Sequence, residues 1–413
     1  MKKSLIALAA LASVAGVAQA QSTATIYGTL DVGAGSFSQQ AGSAAKTTQQ
    51  GLMYNNNDSS RWGILAVEDI GGGVKAQMQA ESWIGSLPRN IFCYNSTTNA
   101  TYGTSSGAAT FSTNGVGNSI DATSFGNRIL TVGLTMGAHT IQGGQNSAFV
   151  RDIAVPYQAD GSNVVGNLVG NDYVITGRNV ALNYIYAQGP LTAAIGVTSN
   201  TKKQDAQADY ASGSGYQAKA RYAQGAWSVA GAYSNARSNG GATYGTSAAT
   251  ITSTYSATGP SVTSTGTVAN PSTQLNSPAA TISGITQALT QTKVSVLAAD
   301  YDLTVAKLFA EYGKVEVKET NSDTTYNNRH AISVGARVPV GKAWAFVQYS
   351  DGKQQASQGG YDGNWTGYSV GARYEFSKRT YAYLVDGQSE YKYNAAGDKL
   401  KANQYALGLV HNF

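Results

Sequence analysis

Hydrophobic and polar positions alternate at every second residue along most of the chain. Near its end, Tyr405, Leu407, Leu409, His411 and Phe413 share one face, while Gln404, Ala406, Gly408, Val410 and Asn412 share the other. Residues 368–374, 332–338, 216–222 and 74–80 repeat the scheme, with large apolar residues opposed to Ser, Gly, Gln, Lys or Arg. A period of two with one greasy and one wet face marks a β-strand lying between an apolar medium and water. The pattern predicts strands near 24–34, 60–69, 73–84, 127–136, 138–144, 178–187, 190–198, 215–223, 226–234, 293–302, 304–317, 329–338, 343–350, 365–375, 380–391 and 403–413. Most have the length that a tilted strand needs to cross a bilayer, roughly nine to eleven residues.

The connections alternate as well. Short ones fall at 69–72, 137, 188–189, 224–225, 303, 339–342 and 376–379, and long ones at 35–59, 85–126, 145–177, 199–214, 235–292, 318–328, 351–364 and 392–402. Short turns at one end, long loops at the other and an even strand count imply an all-β fold, a 16-stranded antiparallel transmembrane barrel. Hydrocarbon offers no partner to backbone N–H and C=O groups, so the sheet has to close and the first strand has to pair with the last. Aromatic residues near strand ends (Tyr27, Trp62, Trp83, Trp227, Tyr301, Trp344, Trp365, Tyr374, Phe376 and Phe413) are expected to form girdles at the membrane surfaces.

Composition agrees with this architecture. Of 413 residues 12% are charged, while Gly contributes 48, Tyr 26 and Pro only 7, which excludes a charge-rich disordered chain. The single cysteine, Cys93, excludes an internal disulfide framework, and with three histidines no metal or other cofactor is expected. Lys2 and Lys3, the apolar run 5–17 and Ala18-Gln19-Ala20 read as a secretory signal peptide over 1–20, leaving one barrel domain over 21–413. Without those two lysines the formal charge falls from +5 to +3, too little to indicate nucleic acid. The long loop at 235–292 carries no charge from residue 238 onward, and in 85–126 only Arg89 and Asp121 are charged.

Motifs that suggest an enzyme dissolve in context. Gly103-Thr104-Ser105-Ser106-Gly107 fits a nucleophile elbow but lies in Ser/Thr/Gly-rich loop. The stretch from Gly335 to Lys342 has the wrong glycine spacing for a phosphate loop, and Ala343 stands where Ser or Thr belongs. His330 has no carboxylate within six residues, so no enzymatic activity is expected. If the apolar face meets lipid, its alternates meet water. That assigns Arg61, Lys75, Lys219, Arg221, Lys307, Arg337 and Arg373 to the lumen, with Asp31, Glu81 and Glu311 as negative counterparts.

Four stretches carry a family resemblance: residues 26–31 (IYGTLD), residues 60–64 (SRWGI) followed by 68–76 (EDIGGGVKA), residues 374–380 (YEFSKRT) and the ending 410–413 (VHNF). Together they resemble the Gram-negative general porins of the neisserial type. The resemblance implies a homotrimer of barrels whose third long loop, here 145–177, folds into the pore and adds Arg151, Asp152, Asp160 and Asp172 to its lining. It also implies that Phe413 is a signal read by the outer-membrane assembly machinery, and that the chain sits among outer-membrane lipids and lipopolysaccharide. The implied activity is passive diffusion of small hydrophilic solutes and ions. Leu65 and Gly143-Gly144-Gln145 stand where the family often places arginines, so at most a weak anion preference is expected. The uncharged loops leave two alternatives, a solute-specific channel such as one for sugars, or an adhesin or receptor barrel.

Overall fold

The computed structural model describes residues 22–42, 46–84, 126–159, 161, 163–169, 177–198, 212–238, 249–254, 263–268, 290–319, 325–356, 362–393 and 399–413. The expected signal peptide at 1–20, Cys93, Asp160, Asp172 and most of the loops at 85–126 and 235–292 lie outside the described residues.

The chain begins with strands β1 (Thr23–Ala41), β2 (Thr47–Tyr54), β3 (Arg61–Gly71), β4 (Val74–Trp83), β5 (Ile129–Met136) and β6 (His139–Ser147). A short helix α1 (Phe149–Ala154) follows, and then β7 (Arg178–Gln188), β8 (Leu191–Thr198), β9 (Ser212–Gln224) and β10 (Trp227–Ser238). A detached hairpin, β11 (Ala249–Thr254) with β12 (Thr263–Val268), stands apart from the main sheet. The wall resumes with β13 (Thr290–Asp302), β14 (Lys307–Glu319), β15 (Thr325–Val340), β16 (Ala343–Ala356), β17 (Gly363–Glu375), β18 (Thr380–Tyr393) and β19 (Lys399–Asn412).

Every wall strand pairs antiparallel with its neighbour, and β1 pairs with β19 from Thr29 opposite Asn412 to Ala41 opposite Leu400. The barrel is therefore closed, and Phe413 and Gly28 exchange both backbone hydrogen bonds at 3.1 Å where the ladder ends. A Cβ on Gly28 would run into the Phe413 ring, so the glycine makes room for this closure. The lower half of β1 pairs with β3 and its upper half with β2, so β2 and β3 share one position in the wall. Counted this way, the wall has 16 strand positions.

Register carries one inner face around the whole circle. Asp31 faces Val410, Tyr383 faces Gly408 and Arg373, and Arg373 faces Trp344. Directly opposed residues share a side of the sheet, so each step hands the inner face to the next strand. The alternate residues form the outer apolar band, with Leu134, Ile195, Leu297, Leu384 and Leu407 exposed. Such exposure is tolerable only where lipid covers it.

The structure corrects the sequence reading at several points. Residues 35–59 are not all loop, because β1 runs on to Ala41 and Thr47–Tyr54 is a strand. Above the bilayer both faces of a strand are wet, so alternation fades while the backbone ladder continues. For the same reason strand lengths reach 19 residues. The turn at 303 spans Leu303 to Ala306, with Thr304 at a φ of 72°. Of the aromatic residues assigned to the girdles, Tyr27, Trp83, Trp344 and Trp365 face inward, whereas Trp227, Tyr301, Tyr374, Phe376 and Phe413 are exposed. Position at a strand end sets height, but only parity sets the face.

Candidate functional site: the lumen and its two inward segments

The chain between β6 and β7 enters the barrel and runs along the inner wall. Phe149, Val150, Ile153, Ala154, Tyr157, Leu168 and Val169 are buried there against Ala194, Ala230, Ala232, Val294, Val296, Ala298 and Val315. These wall residues are inward-facing yet apolar, which gives the segment a dry seat. Three fully buried glutamines on different strands then peg its backbone. Phe149 N–H donates to Gln217 at 3.1 Å, Ala159 N–H to Gln348 at 2.8 Å and Val165 N–H to Gln404 at 2.9 Å. A backbone group lifted out of water needs such a partner. Glycines complete the seat: a Cβ on Gly367 or Gly387 would strike the backbone of Gly166 or Val165.

A second, shorter segment leaves the wall between β2 and β3. Residues Asn55 to Ser60 turn inward, with Asn55 at a φ of 62° and Asn56, Asn57, Ser59 and Ser60 buried. Asp31 holds them. Its Oδ2 accepts the N–H groups of Asn57 at 2.7 Å and Asp58 at 2.8 Å, and its Oδ1 accepts the Tyr383 hydroxyl at 2.7 Å. The two segments touch: Asn163 donates to the carbonyls of Asn57 and Asn55, and Gln404 donates to Asn56 O at 2.8 Å.

The lumen residues named from the sequence fall into distinct settings. Lys75, Arg221 and Lys307 are on the inner face near the short-turn end, the first two exposed and Lys307 half-buried. Lys307 pairs with Asp300 at 3.1 Å, and Arg221 reaches the Tyr157 hydroxyl at 3.4 Å. Lys219 pairs with Asp152 of α1 at 2.6 Å, next to Arg151, which is half-buried. Arg337 donates to Ala159 O at 3.1 Å and lies 4.1 Å from the centre of the Trp344 ring. Arg373 lies 3.6 Å from the centre of the Tyr381 ring and donates to Asn57 at 3.3 Å. Arg61 bonds Ser59 O at 2.7 Å and Asp58 at 3.2 Å.

The three carboxylates that the sequence pattern placed on the inner face do not reach open water, whereas Asp302 and Glu375, on the same face at the short-turn end, are exposed. Asp31, Glu81 and Glu311 are 0%, 4% and 2% exposed. Parity gives the side on which a residue stands but not what covers it. Asp31 is under the kink, Glu311 is covered by the loop through Gln158, and Glu81 is gripped by Arg128 at 2.5 Å with Arg61 at 3.7 Å.

Arg128 and Arg178 fall within the strands expected at 127–136 and 178–187 but are not among the lumen residues named from the sequence; one sits in the turn before β5 and the other opens β7. Their guanidinium groups lie 3.9 and 5.0 Å from the centre of the Trp83 ring, a cation–π arrangement. Burial pushes the Arg128 guanidinium down to about 10 against the opposing pull of Glu81, so it stays charged at neutral pH. His330 faces outward, its ring 6.4 Å from that of Tyr312.

Known proteins of similar sequence and shape agree with this architecture. An outer membrane porin protein of Bordetella pertussis is 36% identical over 96 residues, which span 21% of this chain and 25% of that protein. Outer membrane porin protein 32 of Delftia acidovorans is 42% identical over 84 residues, 20% of this chain and 23% of the relative. The matched stretches thus span about a quarter of the curated relatives. The anion-selective porin from Comamonas acidovorans superimposes with a TM-score of 0.61 at 19% identity, covering 95% of this chain and all of the other. OmpT of Vibrio cholerae gives 0.57 at 13% identity, covering 95% and 98%. At those identities the structures speak for the fold alone. The model of the Gram-negative porin family matches residues 7–394, so with its closed barrel and inward loop the chain belongs to the Gram-negative porins of the outer membrane.

Proposed function

We propose that the chain is a water-filled channel for passive diffusion of small hydrophilic solutes and ions, with a weak anion preference and no enzymatic role. One observation carries this reading: on the inner face, Lys75 and Arg221 are exposed and Lys307 is half-buried, while Asp31, Glu81 and Glu311 are buried. Exposed inward-facing cations need water inside the barrel, and a low-dielectric wall focuses their field on passing ions. Asp152 and Asp300 offset part of that potential through Lys219 and Lys307, which keeps the preference weak. Arg61, Arg337, Arg373 and Arg151 contribute from the edge of the inward segments, which narrow the passage.

The same reading carries the other family properties. The chain assembles as a homotrimer surrounded by outer-membrane lipid and lipopolysaccharide, and Phe413 serves the assembly machinery. Single-channel recording in planar bilayers tests the proposal. Large stable steps in threes and a reversal potential shifted modestly toward anions are expected. Silence would favour an adhesin or receptor barrel, saturable block by one sugar would favour a solute-specific channel, and clear cation selectivity would sink the charge assignment.

A further inference from the structure

On the outer face, near the long-loop end, the strands β9, β10, β13 and β14 set side chains in cross-strand rows. One row runs Tyr216, Asn235, Lys293, Glu316; the row above it runs Arg237, Gln291, Lys318; the row below runs Tyr233, Ser295, Lys314. Exposed Val229, Leu297 and Leu308 lie on the same face further toward the short-turn end, so the rows stand just above the apolar band. That height is the headgroup layer of the outer leaflet, where tyrosines settle and cations find anionic lipid.

A crevice of about 450 Å³ opens between these strands, lined by Gly215, Tyr216, Tyr233, Asn235, Arg237, Gln291 and Lys293. It contains two cations and no carboxylate. Its polar lining is ordered in advance: Gln291 Nε2 donates to Asn235 Oδ1 at 2.9 Å and Asn235 Nδ2 donates to the Tyr216 hydroxyl at 3.1 Å. Glu316 stands 4.0 Å from Lys293, but it is 3.5 Å from Lys314 and 3.3 Å from Lys318, so its charge is shared among three ammonium groups. Arg237 makes no ion pair among the described residues. The connection above, from residue 238 to 292, contains no charged residue and cannot supply a counterion. Other outward cations near the long-loop end, Lys353, Lys392, Lys399 and Lys401, lie on β16, β18 and β19 away from this crevice, and Lys392 and Lys401 pair with Glu390. Among the described residues, the outward positions of β4, β5, β6 and β8 hold no Lys, Arg, Asp or Glu, and those of β7 hold only Arg178, which turns to Trp83.

We propose that this crevice binds the phosphate of an anionic outer-leaflet lipid headgroup, with Arg237 and Lys293 as the charged contacts and Tyr216 and Asn235 as neutral ones. The inference rests on the porin orientation argued above and names one lipid contact within it. Charge-assisted bonds to phosphate from an arginine and a lysine explain Arg237, placed beside lipid with no ion pair among the described residues, and Lys293, which shares Glu316 with two other lysines.

The test uses the full purified protein in detergent and reads bound lipid by native mass spectrometry. Lipopolysaccharide, its enzymatically dephosphorylated form and sodium phosphate serve as separate probes. The intact protein should retain lipopolysaccharide, and the R237Q/K293Q variant should retain at least tenfold less. Gln291→Glu, which sets a carboxylate in the crevice, should weaken binding without removing a cation, and Lys378→Gln at a short turn should change nothing. Equal retention by the double variant, or equal retention of the dephosphorylated lipid, overturns the proposal. Displacement of the lipid by millimolar sodium phosphate also overturns it, in favour of a free-anion site. Conductance recorded on the same samples keeps the two readings apart. Steps unchanged in the variants while lipid is lost support this site, and absence of steps in every sample counts against the channel alone.

Discussion

Two segments leave the wall and enter the lumen, and they are held by opposite chemistry. The kink is Asn-Asn-Asn-Asp-Ser-Ser, with no apolar side chain to bury, and it depends on the carboxylate of Asp31 accepting three hydrogen bonds. The loop opens with Phe149, Val150, Ile153 and Tyr157, buries them against apolar wall residues, and has its backbone N–H groups pegged by the neutral amides of Gln217, Gln348 and Gln404, with Arg337 on Ala159 O and Lys219 on Asp152 as charged additions. A segment with hydrophobic surface draws its stability from burial, at roughly 25 cal/mol per Å². A segment without it needs charge-assisted bonds, about twice as strong as neutral ones. The lesson is that a buried acidic residue in a channel wall can serve as scaffold and leave the conduction field to the cations.

The sharpest break of this contrast is Asp31→Ala. It strands two backbone N–H groups and the Tyr383 hydroxyl, each costing about 1–3 kcal/mol when left unsatisfied. Thermal unfolding in detergent should show the largest loss of this series, and current noise should rise because Asn163 and Gln404 hang on the same kink. An unchanged melting point would mean that Asp31 is not the anchor. Ile153→Ala attacks the other segment through its packing and should cost about 2–4 kcal/mol by leaving a cavity, with noise confined to the loop.

Gln404→Leu removes one peg from the loop and one donor to Asn56, for about 1–3 kcal/mol. Combined with Asp31→Ala it should be non-additive, since both hold the kink, whereas Asp31→Ala and Ile153→Ala should add to within about 0.5 kcal/mol. Additivity of the first pair would separate the two segments. The smallest effect belongs to the conduction field. Arg373→Gln should lower the anion-to-cation permeability ratio by a factor of about two, measured as a reversal potential, with little change in stability. A shift toward anions would reverse the role assigned to the inner cations.

The strands were legible because lipid on one side and water on the other force a period of two, as residues 404–413 show. The inner face of Arg61, Lys75 and Arg337 followed from the same count. Three things did not follow. The upper strand β2 opens with Thr47-Thr48-Gln49-Gln50, polar on both faces, so the alternation is silent there. Arg128 and Arg178 sit outside or at the very start of strands, and the inner-face count did not include them. The glutamine pegs look like any other polar inward residue until the loop is in place. One signal was present and unread: β13 carries Val294, Val296 and Ala298 on its inward face, and beside outward Leu297 and Ala299 it is apolar on both. In a wet barrel such a strand marks wall that another segment covers.

Alone, then, the sequence determined the membrane-spanning sheet, its closure and the side on which each wall residue stands, because those depend on local periodicity and on the need to pair every backbone group in lipid. Tertiary structure decided which of the inward charges meet water. That depends on where residues distant along the chain come to rest, as when Asn57 settles on Asp31 and Gln158 on Glu311. No local pattern encodes the shielding that follows.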